Sequence, residues 1–234
     1  ATDTQNPKRT IADRYDTRKS IDHKQAGAAF EQRLGDDTLR AMVYGGNRQV
    51  IQYQSFSRGF QAPASHSGGV IDFDRDFHGV DINYTHVNQL GSGKLSTTAG
   101  IDYSRSTDAR RGYENFVGSQ FGVMGNLRRD EEDTLTGIDP YLQPEWEGGP
   151  WVLSAGVRHS RLKVKVDDFY LSNGDDSGGA EYRESTPVAG VLYKVSPVLN
   201  VYASAARGFE TPTLNELFYS PSGAGFNFGL RPAS

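Results

Sequence analysis

Apolar and polar residues alternate along most of this chain, and the alternation predicts strands. The clearest run is residues 95–104. Leu95, Thr97, Ala99, Ile101 and Tyr103 fall on one face, and Ser96, Thr98, Gly100, Asp102 and Ser104 on the other. A period of two marks a strand that turns one side to an apolar environment. Val80, Ile82 and Tyr84 against Asp81, Asn83 and Thr85 repeat the pattern, as do Ala189, Val191, Tyr193 and Val195. Residues 25–34 predict a first strand, with Ala26, Ala28, Phe30 and Leu34 sharing a face opposite Glu31 and Arg33. A second begins at Thr38 with Leu39, Ala41 and Val43 on one side, is expected to kink or bulge at Gly45-Gly46, and resumes over residues 50–53. Residues 134–146 place Ile138, Leu142 and Trp146 together, although Pro140 and Pro144 sit badly in a central strand. From Trp151 the apolar face is Leu153, Ala155 and Val157. It then changes phase to Leu162, Val164 and Val166, which predicts either a bulge near 159–161 or a change of surroundings along the strand. Val201, Ala203 and Ala205 define the eighth strand.

The connections alternate in length. Residues 35–37, 90–93, 147–150 and 196–198 are tight turns, whereas 57–69, 107–133, 171–179 and 211–230 are mostly long, and residues 1–22 read as a polar lead-in. One end consistently tighter than the other is the asymmetry of an outer-membrane barrel. Trp146, Trp151 and Tyr193 cluster beside short turns, where an interfacial aromatic girdle would place them. On this view the apolar faces meet lipid. Asp81, Asn83, Thr85, Asp102, Ser104, Asp139, Gln143 and Glu145 then line a wet interior. A soluble β-sandwich interaction module, binding a glycan or protein through its long loops, is the alternative that alternation alone leaves open.

Composition narrows the choice only a little. The 234 residues carry a net charge of −4 and no cysteine, with a mean hydropathy of −0.60. No apolar run approaches the ~20 residues of a membrane helix. A barrel strand meets lipid at every second residue, so low hydropathy does not exclude a membrane. The missing thiols exclude a disulfide scaffold and cysteine chemistry, and the mild acidity argues against nucleic acid as a partner. The first residues contain no signal-peptide core, so an export signal is expected to have been removed or to lie upstream.

The stretch 200–218 is more specific. Its strand is followed by Gly208, Pro212 and Thr213-x-x-Glu216, a capping-box spacing that predicts a short helical turn over residues 214–218. Tyr202-Ala-Ser204, Arg207-Gly208-Phe209, Pro212-Thr213, Asn215-Glu216-Leu217 and Leu230-Arg231-Pro232 resemble, in that order, the barrel signature of TonB-dependent outer-membrane receptors of the siderophore type. Ala233 stands where that family often has Glu. The resemblance implies an all-β fold, an antiparallel up-and-down transmembrane β-barrel of which residues 1–234 supply about eight strands out of about 22. It implies that the plug domain and the C-terminal closing strand lie outside this sequence. It also implies a bacterial outer-membrane location, lipid as a partner and uptake of a ferric siderophore as cargo rather than cofactor. Energy would come from a TonB complex that contacts a segment absent here.

No catalytic constellation is visible. His23, His66, His78, His86 and His159 show no metal-ligand spacing, and Met42 and Met124 alone make no soft copper site. His66 lies in a loop, where a haem receptor would want one. Asp72, Asp74 and Asp76 share a face and, like Asp175-Asp176, read first as a solvated rim and second as a calcium site. The long-loop ends supply Arg58, Phe60, Arg110, Arg111, Tyr113, Phe116, Arg128, Arg129 and Tyr170. Guanidinium forks suit the oxygens of an anionic chelate and aromatic rings give flat apolar contact, so these nine are the candidate ligand-binding residues.

Overall fold

The computed structural model describes residues 11–218 and 226–233. One sheet dominates. Its eight strands run antiparallel in chain order: β1 (Arg18–Leu34), β2 (Asp37–Tyr53), β3 (Val70–Leu90), β4 (Gly93–Tyr113), β7 (Leu127–Gly148), β8 (Trp151–Asp168), β9 (Gly178–Ser196) and β10 (Leu199–Ala206). The short strands β5 (Phe116–Val117) and β6 (Gln120–Phe121) form a separate hairpin, and α1 (Ala12–Tyr15), α2 (Arg58–Gln61) and α3 (Leu214–Phe218) are short helical turns. Every large strand pairs with its neighbour in sequence, as an up-and-down meander requires. Among the described residues β1 and β10 each have one partner, so the sheet is an unclosed arc.

Phe30, Val43, Ile82, Ile101, Leu142 and Leu153 are all exposed on the outer face. No second sheet faces them, which removes the sandwich alternative: a sandwich would have buried these side chains between two layers. Leu34, Trp151, Tyr193 and Leu199 mark the short-turn margin of the same band. There Trp151 and Tyr193 meet with ring centroids 4.5 Å apart. Turns of two residues, with Gly35, Gly91 and Gly149 at positive φ, join the strands at this end. The 21 residues of β3 and of β4 far exceed the 9–11 that cross a bilayer, so each continues beyond the apolar band.

Several sequence expectations change here. Residues 18–22, assigned to the lead-in, are paired strand, from Arg18↔Tyr53 to Asp22↔Gln49; residues 1–10 lie outside the described region. Gly45-Gly46 does not kink β2, whose register with β3 is unbroken. Gly46 is needed for space instead: a Cβ there would sit 2.7 Å from the Phe77 ring and 2.3 Å from the Lys24 carbonyl oxygen. Residues 107–133 are not one loop. β4 runs on to Tyr113 and β7 starts at Leu127, leaving 114–126 and its β5–β6 hairpin as the connection. The alternation is weak there because both faces of these extensions carry charge. Pro140 and Pro144 are accommodated on one side. The β7–β8 ladder omits residues 139, 140, 143 and 144, while the β4–β7 ladder continues through them. The phase change in β8 is no bulge, since its register with β9 holds from Trp151↔Tyr193 to Val166↔Gly178. Leu162, Val164 and Val166 are simply on the inner face, above the membrane band, where something covers them.

That cover is the chain after β10. Leu217 is fully buried against Val164 and Tyr182, with Phe209, Leu214, Phe226 and Leu230 packed around the cluster. The capping box forms as the spacing predicts. Thr213 N–H donates to Glu216 Oε2 at 2.8 Å, and Glu216 N–H to Thr213 Oγ1 at 3.3 Å. Glu210 and Ala233 then close the segment with two backbone hydrogen bonds of 3.0 and 2.9 Å.

Candidate ligand site at the long-loop end

The connection between β2 and β3 folds back over the inner face and builds a cavity of about 620 Å³. Ser57 caps α2 by accepting from Phe60 N–H at 3.3 Å. Buried Gln61 donates to Asn115 Oδ1 at 2.8 Å, and Asn115 donates to the Gln54 carbonyl at 2.7 Å. Gln54 N–H to Gly69 O and Gly69 N–H to Tyr113 O, both 2.8 Å, pin the loop to the sheet. So fixed, Phe56, Phe60 and His66 converge, with ring centroids 4.9, 5.4 and 5.0 Å apart. His66 Nδ1 accepts from Gly68 N–H at 3.0 Å. Burial, then the nearby Arg128 charge, depresses its pKa. The ring is therefore neutral at pH 7, with its proton on Nε2. In this tautomer Nε2–H is a hydrogen-bond donor.

Arg110, Arg111 and Arg129 form the opposite wall. All three belong to a lattice of ion pairs on the extensions of β3, β4 and β7. Arg75 grips Asp108 through two bonds of 2.6 and 2.5 Å. Arg110 reaches Asp133 at 3.3 Å and Glu131 at 3.8 Å, while Arg129 holds Glu131. Arg111 pairs with Asp130 at 3.3 Å and Arg128 with Glu114 at 3.2 Å. Burial, reinforced by Glu131, raises the Asp133 carboxyl to about 7 against the pull of Arg110 and Arg129.

The nine candidates separate accordingly. Phe60, Arg110, Arg111 and Arg129 line the cavity. Arg128, Arg129 and Tyr170 border a small adjoining recess with Phe226. Arg58 and Phe116 lie apart: the Arg58 guanidinium packs 5.0 Å from the Phe116 ring centroid and bonds the Gly118 carbonyl, bracing the β5–β6 hairpin. Tyr113 lends its backbone to the loop anchor. Phe56, Pro63, Gln61, Asn115, Glu131 and Asp133 were not singled out from the sequence. Extending the alternation of β4 and β7 past residue 107 would have put Arg110 and Asp133 on one inner face.

Two acidic groups can also be placed. Asp74 and Asp76 take bonds of 2.6 and 3.2 Å from Asn47, and Gln49 adds one of 3.2 Å to Asp74. Asp175 Oδ1 accepts from Ser177 N–H at 2.9 Å and shapes a turn. Lower on the inner face, Asp81, Asp102 and Asp139 stand opposite one another across β3, β4 and β7. Arg158 lies 2.5 Å from Asp139 and 4.0 Å from Asp102. Of the signature residues, Arg207 pairs with Glu184 at 3.4 Å, Phe209 and Leu217 sit in the buried cluster, and Tyr202 is 77% exposed.

A model of the TonB-dependent receptor-like β-barrel matches residues 1–233. The metal-pseudopaline receptor CntO of Pseudomonas aeruginosa is 30% identical over 88 residues, 35% of this chain and 12% of that protein. Among solved structures, the ferric citrate transporter FecA in its unliganded form superposes with a TM-score of 0.71 at 15% identity, over 86% of this chain and 29% of that one. The siderophore receptor PiuA from Acinetobacter baumannii gives 0.63 at 17% identity, over 82% and 33%. The copper transporter OprC gives 0.61 at 15% identity, over 91% and 34%. At these identities the structural likeness carries the fold alone. The chain spans between 12% and 34% of the length of these proteins.

Proposed function

The chain belongs to the TonB-dependent receptor β-barrel family, an outer-membrane family of receptors and transporters rather than enzymes, and we propose that it forms part of a barrel that takes up a ferric siderophore. The observation that carries this reading is the cavity at the long-loop end, where Phe56 and Phe60 face Arg110 and Arg129. Rings and guanidiniums together suit a flat or multidentate anionic metal chelate. Similar proteins named for metal-pseudopaline, ferric citrate and siderophores support the class. A copper transporter among them makes metal ion choice the open variable. Energy for release into the periplasm would come from a TonB complex. In the full-length receptor, replacing residues 114–126 by an Asn-Gly turn takes away the hairpin and Asn115, which fixes the loop that builds the cavity, and leaves the eight long strands their pairing. Loss of ferric-chelate binding with normal barrel assembly is the expected result. Unchanged affinity would move the site elsewhere.

A further inference from the structure

The arginines of the candidate site are matched one to one by acids: Arg75 with Asp108, Arg110 with Asp133, Arg111 with Asp130, Arg128 with Glu114 and Arg129 with Glu131. Asp108 and Glu114 have both oxygens bonded, Glu131 takes Arg129, and Asp130 is partly exposed to water. Asp133 differs. Its side chain is fully buried, and Oδ1 has no hydrogen-bond partner. Oδ2 takes one long bond, 3.3 Å, from an Arg110 that also leans towards Glu131. Directly opposite on β4, Asp108 is equally buried, with both oxygens taken by Arg75. Around Asp133 the charged groups are Asp108 and Arg110 from β4, Arg129 and Glu131 from β7, and Arg75 from β3. Asp168 at the end of β8 pairs with Glu131 in the ladder, and Asp176 follows in the next loop. On β8 itself Asp133 meets Val166, which offers no polar contact.

A buried carboxylate stays ionised only while a cation faces it. Arg110 is the cation bonded to Asp133, and it also lines the cavity. Guanidiniums on two sides disfavour a metal ion at the bare Oδ1, whereas a proton neutralises the charge in place. We propose that Asp133 is a proton-binding site coupled to the occupancy of Arg110: an anionic ligand that takes the Arg110 guanidinium releases it from Asp133, and the freed carboxylate takes up one proton from solvent. The exchange balances one ligand charge against one proton. This inference rests on the ligand reading above.

Linkage gives the sign. With Arg110 bonded to it Asp133 titrates at about 7, and loss of Arg110 moves that value up. Below about pH 7 the group is protonated with or without ligand, and affinity is flat. Above it, binding brings a proton in, so affinity falls by up to about tenfold per pH unit.

The test uses the full-length receptor in detergent and follows the protonated-carboxyl infrared band from about pH 5 to about pH 9, with citrate, fully ionised above neutrality, as the probe anion. A band absent from Asp133→Asn, with a midpoint near neutral that rises in Arg110→Gln and with bound citrate, is expected. Arg110→Lys, which keeps the cation, should restore the lower midpoint and guards against a folding defect in Arg110→Gln. An Asp133 that remains ionised across the whole range overturns the proton site. Citrate that binds without moving the midpoint overturns the coupling. Citrate that fails to bind at every pH counts against the ligand reading instead, and the Arg110→Gln midpoint then decides the proton site by itself.

Discussion

Thr213 and Glu216 satisfy each other's backbone amides, and this reciprocal pair starts α3 in the orientation that drives Leu217 into the cluster with Val164 and Tyr182. Thr213→Ala removes one half of the pair and should cost about 1 kcal/mol locally. Leu217→Ala empties a fully buried site, worth about 2–5 kcal/mol. Both should appear as faster proteolysis between residues 207 and 233 with the eight-stranded sheet intact, and the leucine variant should be the more sensitive. Asp133 acts on stability with the opposite sign to a salt-bridged acid. Its folded value of about 7 lies above its unfolded one, so the folded state holds the extra proton. The extension of β7 therefore loses that contribution as pH rises from about 4 to about 7, and is level above it. Hydrogen exchange of the β7 amides near Asp133, corrected for intrinsic rate, should show protection falling over that interval in wild type and remaining level in Asp133→Asn.

At the scale of a strand, one residue of shift decides between hydrocarbon and water. Ile101 and Leu142 stand on the outer face of β4 and β7, whereas Thr98 and Gln143 face inward. Arg at Ile101 should cost about 2–4 kcal/mol when the barrel folds into bilayers, because the charge is placed at membrane depth. Arg at Thr98 should cost a small fraction of that. Equal penalties, measured by folding titrations into lipid vesicles, would contradict the assignment of faces. The phase change in β8 follows the same rule. Below Val157 the apolar residues point out to lipid. Above His159 they point in, because α3 and its flanks cover the inner face there and water bathes the outer.

At the scale of the whole molecule, long connections gather at one end of the sheet and two-residue turns at the other. This gives the barrel a direction. In intact cells producing the full-length receptor, Ser172→Cys in the β8–β9 loop should react with an impermeant thiol reagent. Asp36→Cys, in the turn between β1 and β2, should react only after the outer membrane is breached. The native chain contributes no cysteine of its own to confuse the result. Labelling of both positions in intact cells would invert or abolish this topology.

Side-chain period, turn residues and the 200–218 signature were enough to define an antiparallel meander with a lipid face, because each is a local property of strand geometry and backbone conformation. The same local reading failed at Gly45-Gly46, where glycine yields space to Phe77, and over residues 107–133, where charges on both faces hide the period. What the candidate site contains was settled by contacts distant in sequence. Gln61 meets Asn115 across 54 positions, and Arg75 meets Asp108 across 33. A one-dimensional pattern records which residue types are present and which way a strand turns them. Only pairing of β3, β4 and β7 in register puts acids opposite Arg75, Arg110 and Arg111, and that pairing determines which charges are spent on one another and which carboxyl is left to bind a proton.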